Sequence, residues 1–198
     1  KIGDCLLLLP GIPDKSIDAI ITDLPYQITS CEWDIMIPFE PLWDQYKRII
    51  KDNGAIVLFG SQPFTSKLIM SNLKMFKYEW IWEKSNGSNF LTTQFMPMKT
   101  HENILVFYKN SPTYNPIKTI KQKKTLAREK RSFGLNMKSE HHSCTIRTRN
   151  NKDGLNYPRS VIFYPTTTNN QFETKMVHPT QKPLALFEYL IKTYTNEG

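Results

Sequence analysis

Ile17-Asp18-Ala19-Ile20-Ile21-Thr22-Asp23-Leu24-Pro25-Tyr26 is the stretch whose reading decides the fold. Ile17, Ala19, Ile20, Ile21 and Thr22 suit a short buried strand, which then stops at a carboxylate, a proline and an aromatic ring. In open α/β sheets, ligands sit just outside the carboxyl ends of the strands. Asp23 can accept a hydrogen bond from an amine. Pro25 fixes its own φ and drives Leu24 towards an extended conformation, which holds the local carbonyls in place. Tyr26 offers a flat face to a planar ring. Together they suit a planar ligand bearing an amino group, such as a nucleobase. Read alone, the same four residues also describe a strand followed by an ordinary proline turn.

Outward from this corner, the pattern is that of an α/β chain. Asp4 is placed to cap a short helix over 5–9, which Pro10, Gly11 and Pro13 break. Leu42, Tyr46, Ile49 and Ile50 share one helical face over 39–51, and Asn53-Gly54 reads as the end of that helix. Ala55-Ile56-Val57-Leu58-Phe59 is a continuous apolar run, as in a strand buried on both faces. Gly60-Ser61-Gln62-Pro63 turns into a second helix over roughly 64–76. Strand, helix, strand, helix is the order of a parallel sheet. Glu79–Lys84 and Asn103–Tyr108 then read as two strands with no helix between them, hence antiparallel neighbours at the sheet's edge. Ser85–Asn89 reads as a turn and Val161–Tyr164 as a last short strand. His178-Pro179-Thr180-Gln181-Lys182-Pro183 opens a helix over 184–194, where Lys182 adds a cation to amides that already favour an anion.

Composition narrows the classes of function. A chain of 198 residues with 11 Phe, 9 Tyr and 4 Trp can pack one core with an insertion. No apolar run approaches the length of a membrane span, and no signal segment is read at the start, so a cytoplasmic protein is expected. Cys5, Cys31 and Cys144 form no CxxC pair, and His141, His142 and Cys144 lack a fourth ligand, so no metal is expected. The net charge of +8 is concentrated: residues 109–160 hold 13 Lys+Arg against 3 Asp+Glu, the remainder 13 against 15. A basic segment of this kind is the footprint of a polyanion, or a solvated linker.

With these segments in order, the chain resembles the beta-class DNA amino-methyltransferases, especially their phage and mobile-element adenine-N6 members, which belong to restriction-modification systems. The resemblance rests on Asp23-Leu24-Pro25-Tyr26 after a strand, Gly60-Ser61 after the next, Trp82-Glu83-Lys84, a basic segment, and His178–Pro183. It implies a partial Rossmann-like S-adenosylmethionine-dependent methyltransferase fold, with a mostly parallel sheet, an antiparallel edge and a basic insertion. A catalytic core over 1–109, a target-recognition insertion over 110–175 and a returning segment over 176–198 follow. It also implies S-adenosylmethionine as methyl donor and a base flipped out of duplex DNA. The class allows a homodimer.

Carried over by position, Asp23 accepts from the target amine and lies near the donor's ammonium. The Leu24 carbonyl takes the second amine hydrogen, Pro25 stiffens the corner and Tyr26 stacks on the base. Lys182, beside Pro183, meets the donor's carboxylate, and Asp4 and Cys5 lie at its adenosine end. Lys84, Lys118, Lys121, Lys123, Lys124, Arg128, Lys130, Arg131, Arg147 and Arg149 are the expected DNA contacts. Two departures stand out. Leu24 occupies a position where the family commonly has proline, and the chain stops where a strand and a glycine-rich donor loop would follow. The expectation is therefore a fragment that lacks half the donor site and has little activity by itself. Two other readings share these residues: a non-catalytic nucleic-acid-binding fragment, and a methyltransferase acting on cytosine N4, on RNA adenine or on another amine or amide.

Overall fold

A computed structural model of the chain describes residues 3–29, 31–120, 154–166 and 180–197. The chain divides into two compact units, Lys1–Asn115 with Arg159–Gly198, and Pro116–Pro158. Residues 113–115 are tied to the first unit by backbone bonds from Thr113 N–H to the Asn53 carbonyl (3.0 Å) and from Asn115 N–H to the Thr193 carbonyl (2.8 Å).

The first unit opens with α1 (Cys5–Leu8) and a 3-10 turn (Leu9–Gly11). Asp4 caps α1 by accepting from the Leu6 N–H at 2.8 Å. Then follow β1 (Ile17–Asp23), α2 (Phe39–Ile49), β2 (Ile50–Gly60), α3 (Phe64–Ser71), β3 (Phe76–Ser88) and β4 (Lys99–Phe107). In the second unit, β5 (Thr119–Ile120) and β6 (Leu155–Asn156) pair antiparallel, and the Lys118 ammonium lies 4.9 Å from the centroid of the Tyr157 ring. The first unit resumes with β7 (Val161–Phe163) and ends in α4 (Leu184–Tyr194).

The main sheet has the order β1-β2-β4-β3-β7. β1 and β2 run parallel, as do β3 and β7, while β4 pairs antiparallel with both β2 and β3. Four of the five described strands thus point one way. β3 and β4 are the antiparallel neighbours expected, and β7 adds one parallel strand outside them.

Alternation along β2 explains the layers. Ile56 and Leu58 pack with Leu42, Trp43, Tyr46 and Leu68 from α2 and α3. Ala55, Val57 and Phe59 point the other way, among Trp80, Trp82 and the α4 residues Leu186, Leu190 and Tyr194. With helices on both faces, the Ala55–Phe59 part of β2 must be apolar, and residues 55–59 are fully buried. The Tyr194 hydroxyl is satisfied inside this layer by Trp80 Nε1 and the Tyr78 hydroxyl, each at 2.8 Å.

Three boundaries differ from the sequence reading. β2 begins at Ile50, so Asn53-Gly54 lies inside a strand and does not end a helix. A Cβ on Gly54 would stand 2.7 Å from the Asp18 carbonyl oxygen, so β1 passes too close for any side chain. α3 stops at Ser71, because Asn72 leaves helical geometry and the chain turns directly into β3. β3 continues through Asn86-Gly87 to Ser88 with an irregular register, where a turn was expected.

Among the described residues, no helix is long and apolar enough to cross a membrane.

Candidate active site at the end of the first strand

β1 delivers Asp23 to the carboxyl end of the sheet beside Phe59 of β2. The chain then turns through Leu24 and Pro25. Leu24 is 6% exposed and packs into the α2–α3 core layer, so this side chain anchors the corner from beneath. Tyr26 folds back and donates its phenol hydrogen to Asp23 Oδ1 at 2.6 Å. Its ring stacks on Phe64, the first residue of α3, with centroids 4.8 Å apart. Burial, with the Asp23 charge behind it, pushes the Tyr26 phenol far above its ordinary pKa, so it stays a neutral donor.

From the far end of the chain, the residues before α4 return to this corner. Lys182 donates to Asp23 Oδ2 at 2.6 Å, and its side chain is only 8% exposed. Pro183 caps α4 and is buried. The Lys182 ammonium also lies 3.4 Å from Glu102 Oε2, 5.6 Å from the Phe59 ring centroid and 5.9 Å from that of Tyr26. Glu102, on β4, accepts from Lys84 on β3 at 3.1 Å through its other oxygen. Lys84, Glu102, Lys182 and Asp23 therefore form a chain of alternating charge. Lys99 bonds the Ser61 hydroxyl nearby, and burial lowers its ammonium pKa.

Asp23, Tyr26, Ser61, Lys84, Lys99, Glu102 and Lys182 line a cavity of about 660 Å³, together with Leu24, Pro25, Trp33, Asp34, Trp82 and Thr180. Its outer wall is the loop after Tyr26, which is fastened from within by Asp34. The Asp34 carboxylate accepts from the N–H groups of Gln27, Ile28 and Thr29 and from the Thr29 hydroxyl, all at 2.7–2.9 Å. Burial opposes ionisation of Asp34, but these four donors outweigh it and hold its pKa at about 2. The folded-state value lies below the ordinary 3.8, so the stabilisation is complete above about pH 4 and is lost as pH falls towards about 2. Asp34→Asn should unfold more easily than wild type at neutral pH, by on the order of 2 kcal/mol for hydrogen bonds to a charge. The gap should close in that acid window, as read by circular dichroism.

The structure thus brings Asp23, Leu24, Pro25, Tyr26, Lys182 and Pro183 to one corner. Asp4 and Cys5 do not line this cavity: Asp4 caps α1, and Cys5 packs against the α2–α3 core layer. Burial, and then the Asp4 charge, raises the Cys5 thiol pKa. Lys84, an expected DNA contact, lines the cavity, where its side chain is 10% exposed and paired with Glu102. Lys118 lies in the second unit. Lys121, Lys123, Lys124, Arg128, Lys130, Arg131, Arg147 and Arg149, like His141, His142 and Cys144, fall outside the described residues. Glu102 and Lys99 were not singled out from sequence. The available signal was period-two alternation: Glu102 lies two residues before the inward-facing Ile104, and Lys84 two after the inward-facing Trp82. Among the described residues, no group of His, Cys, Asp and Glu could hold a metal ion.

A strand-end carboxylate corner under a mostly parallel α/β sheet is the architecture of the Rossmann-like methyltransferases, and solved structures of that class superpose on the chain. The PvuII DNA methyltransferase (cytosine-N4-specific) matches with a TM-score of 0.62 at 16% identity, over 98% of this chain and 69% of that one. The M1.HpyAVI–SAM complex matches at 0.57 and 21% identity, over 98% and 75%. The chain belongs to the N6/N4 DNA methylase family, whose sequence model matches residues 17–198. Its relatives include the type II methyltransferase M.HpaI of Haemophilus parainfluenzae, 27% identical over 209 residues. M.HinfI of Haemophilus influenzae is 29% identical over 219. The alignments take in 99% and 96% of this chain but 59% and 53% of those relatives.

Proposed function

We propose that this chain carries the base-binding and catalytic corner of an enzyme that methylates the exocyclic N6 of an adenine flipped out of duplex DNA, with S-adenosylmethionine as donor. The observation that carries this reading is the Asp23 carboxylate, fixed at a strand end by Tyr26 and Lys182 in a cavity large enough for a base. Asp23 and the Leu24 carbonyl accept the two hydrogens of the target amine and turn its nitrogen towards the methyl group. The aromatic wall of Tyr26 and Trp33 offers stacking for an extruded base. The adenine target rests on the resemblance of the corner described above.

The donor fits the same corner. Its amino-acid end is a zwitterion, and Asp23 and Lys182 present the complementary pair of charges on the cavity wall. Bound there, it would supply an electrophilic methyl group. The basic segment beyond residue 109 would track phosphates, while Lys84, held by Glu102, acts within the cavity.

The test is to express the full-length protein in a host without DNA methylation and to analyse the nucleosides by mass spectrometry. N6-methyldeoxyadenosine is the expected product. N4-methyldeoxycytidine would move the target to cytosine, and DNA with neither would contradict the reading.

A further inference from the structure

Asp23 is already engaged at both oxygens, by Tyr26 on Oδ1 and by Lys182 on Oδ2. A carboxylate has lone pairs for more than two donors. An ammonium at 2.6 Å, however, offsets the negative charge that makes the carboxylate a strong acceptor. A target amine therefore meets a weakened Asp23 unless one donor leaves. Tyr26 is poorly placed to leave, because its ring is stacked on Phe64. Lys182 has somewhere to go.

That place is Glu102. Its side chain is 15% exposed, and Lys84 holds Oε1. Oε2 is buried and has no hydrogen-bond partner among the described residues. A buried acceptor left unfilled is costly, and native structures keep few of them. The Lys182 ammonium stands 3.4 Å from this oxygen, less than ~1 Å beyond hydrogen-bond distance. We propose that Glu102 is a positioning residue that provides a second berth for Lys182. When the target amine arrives, Lys182 moves from Asp23 Oδ2 to Glu102 Oε2, keeps its other N–H donors for the donor's carboxylate, and leaves Asp23 Oδ2 to accept from the amine. The buried ammonium keeps a carboxylate partner throughout, so the exchange avoids the penalty of an unpaired internal charge. Lys84 holds Glu102 in place from the other side. This inference rests on the function proposed above.

Two measurements on the full-length protein test it. The first is a crystal structure with a duplex carrying the mapped target site and an unreactive analogue of the donor. Lys182 Nζ should lie within hydrogen-bond distance of Glu102 Oε2 and be detached from Asp23; a lysine still bonded to Asp23 Oδ2 overturns the proposal. The second is single-turnover methyl transfer at saturating donor. Glu102→Gln should slow the chemical step at least tenfold while changing duplex affinity less than twofold. Adding Lys182→Met to that variant should recover rate, at donor concentrations raised to offset its weaker donor binding, since Asp23 Oδ2 is then free of the ammonium. A Glu102→Gln enzyme at wild-type rate, or a double variant no faster than the single one, counts against the second berth. A wild-type protein that transfers no methyl group would instead contradict the proposed function itself.

Discussion

Asp23→Ala in the full-length protein is expected to lower the rate of methyl transfer by on the order of a hundredfold or more while duplex DNA still binds. In the proposed function the carboxylate orients the nucleophile, and misplacing a reacting group by about 1 Å can cost that much. It also partners Tyr26 and Lys182, so its removal loosens the corner from both sides. The proposed phosphate contacts are made by other residues, so affinity measured by fluorescence anisotropy should change little. Methyl transfer at near wild-type rate by this variant would reduce the corner to a structural turn.

The second large effect is expected on DNA affinity. If the basic segment tracks phosphates, replacing Lys121, Lys123, Lys124 and Arg128 with Ala removes up to four counterion-releasing contacts. Each contributes about 0.9 to the slope of log affinity against log salt, so the slope should flatten by roughly 3 to 4. Affinity should drop by orders of magnitude at low salt and by less at high salt, where screening already suppresses the term. An unchanged slope would mean that the cluster is a solvated segment and that the polyanion is held elsewhere.

Much of the corner was legible because its signals are local. An apolar run that stops at Asp-Leu-Pro-Tyr specifies a strand and its exit, and β1 ends at Asp23. The apolar positions after Pro183 specify α4 over the range expected. Leu24 is buried because the corner needs an apolar anchor, which sequence could not distinguish from a simple substitution for proline. What failed was set by distant partners. Asn53-Gly54 has the chemistry of a helix end, yet the glycine serves the close approach of the Asp18 carbonyl of β1. Asn86-Gly87 has the chemistry of a turn, yet Ser88 still pairs with Lys99 of β4. Glu102 sits one residue before the strand read from sequence, and its two lysines lie 18 and 80 residues away along the chain. Period-two alternation gives the face of Glu102 and Lys84, but their pairing, and that with Lys182, is created by the sheet order and the return of the chain before α4.

The central claim is that the cavity at the end of β1 receives the target base. It is tested most directly by photo-crosslinking the full-length protein to a duplex in which 5-iodouracil replaces the base at the mapped target position. Peptide mass spectrometry should then locate the adduct within residues 23–34, on Tyr26 or Trp33, both of which line the cavity. A duplex that crosslinks to the protein without any adduct in residues 23–34 would contradict the account.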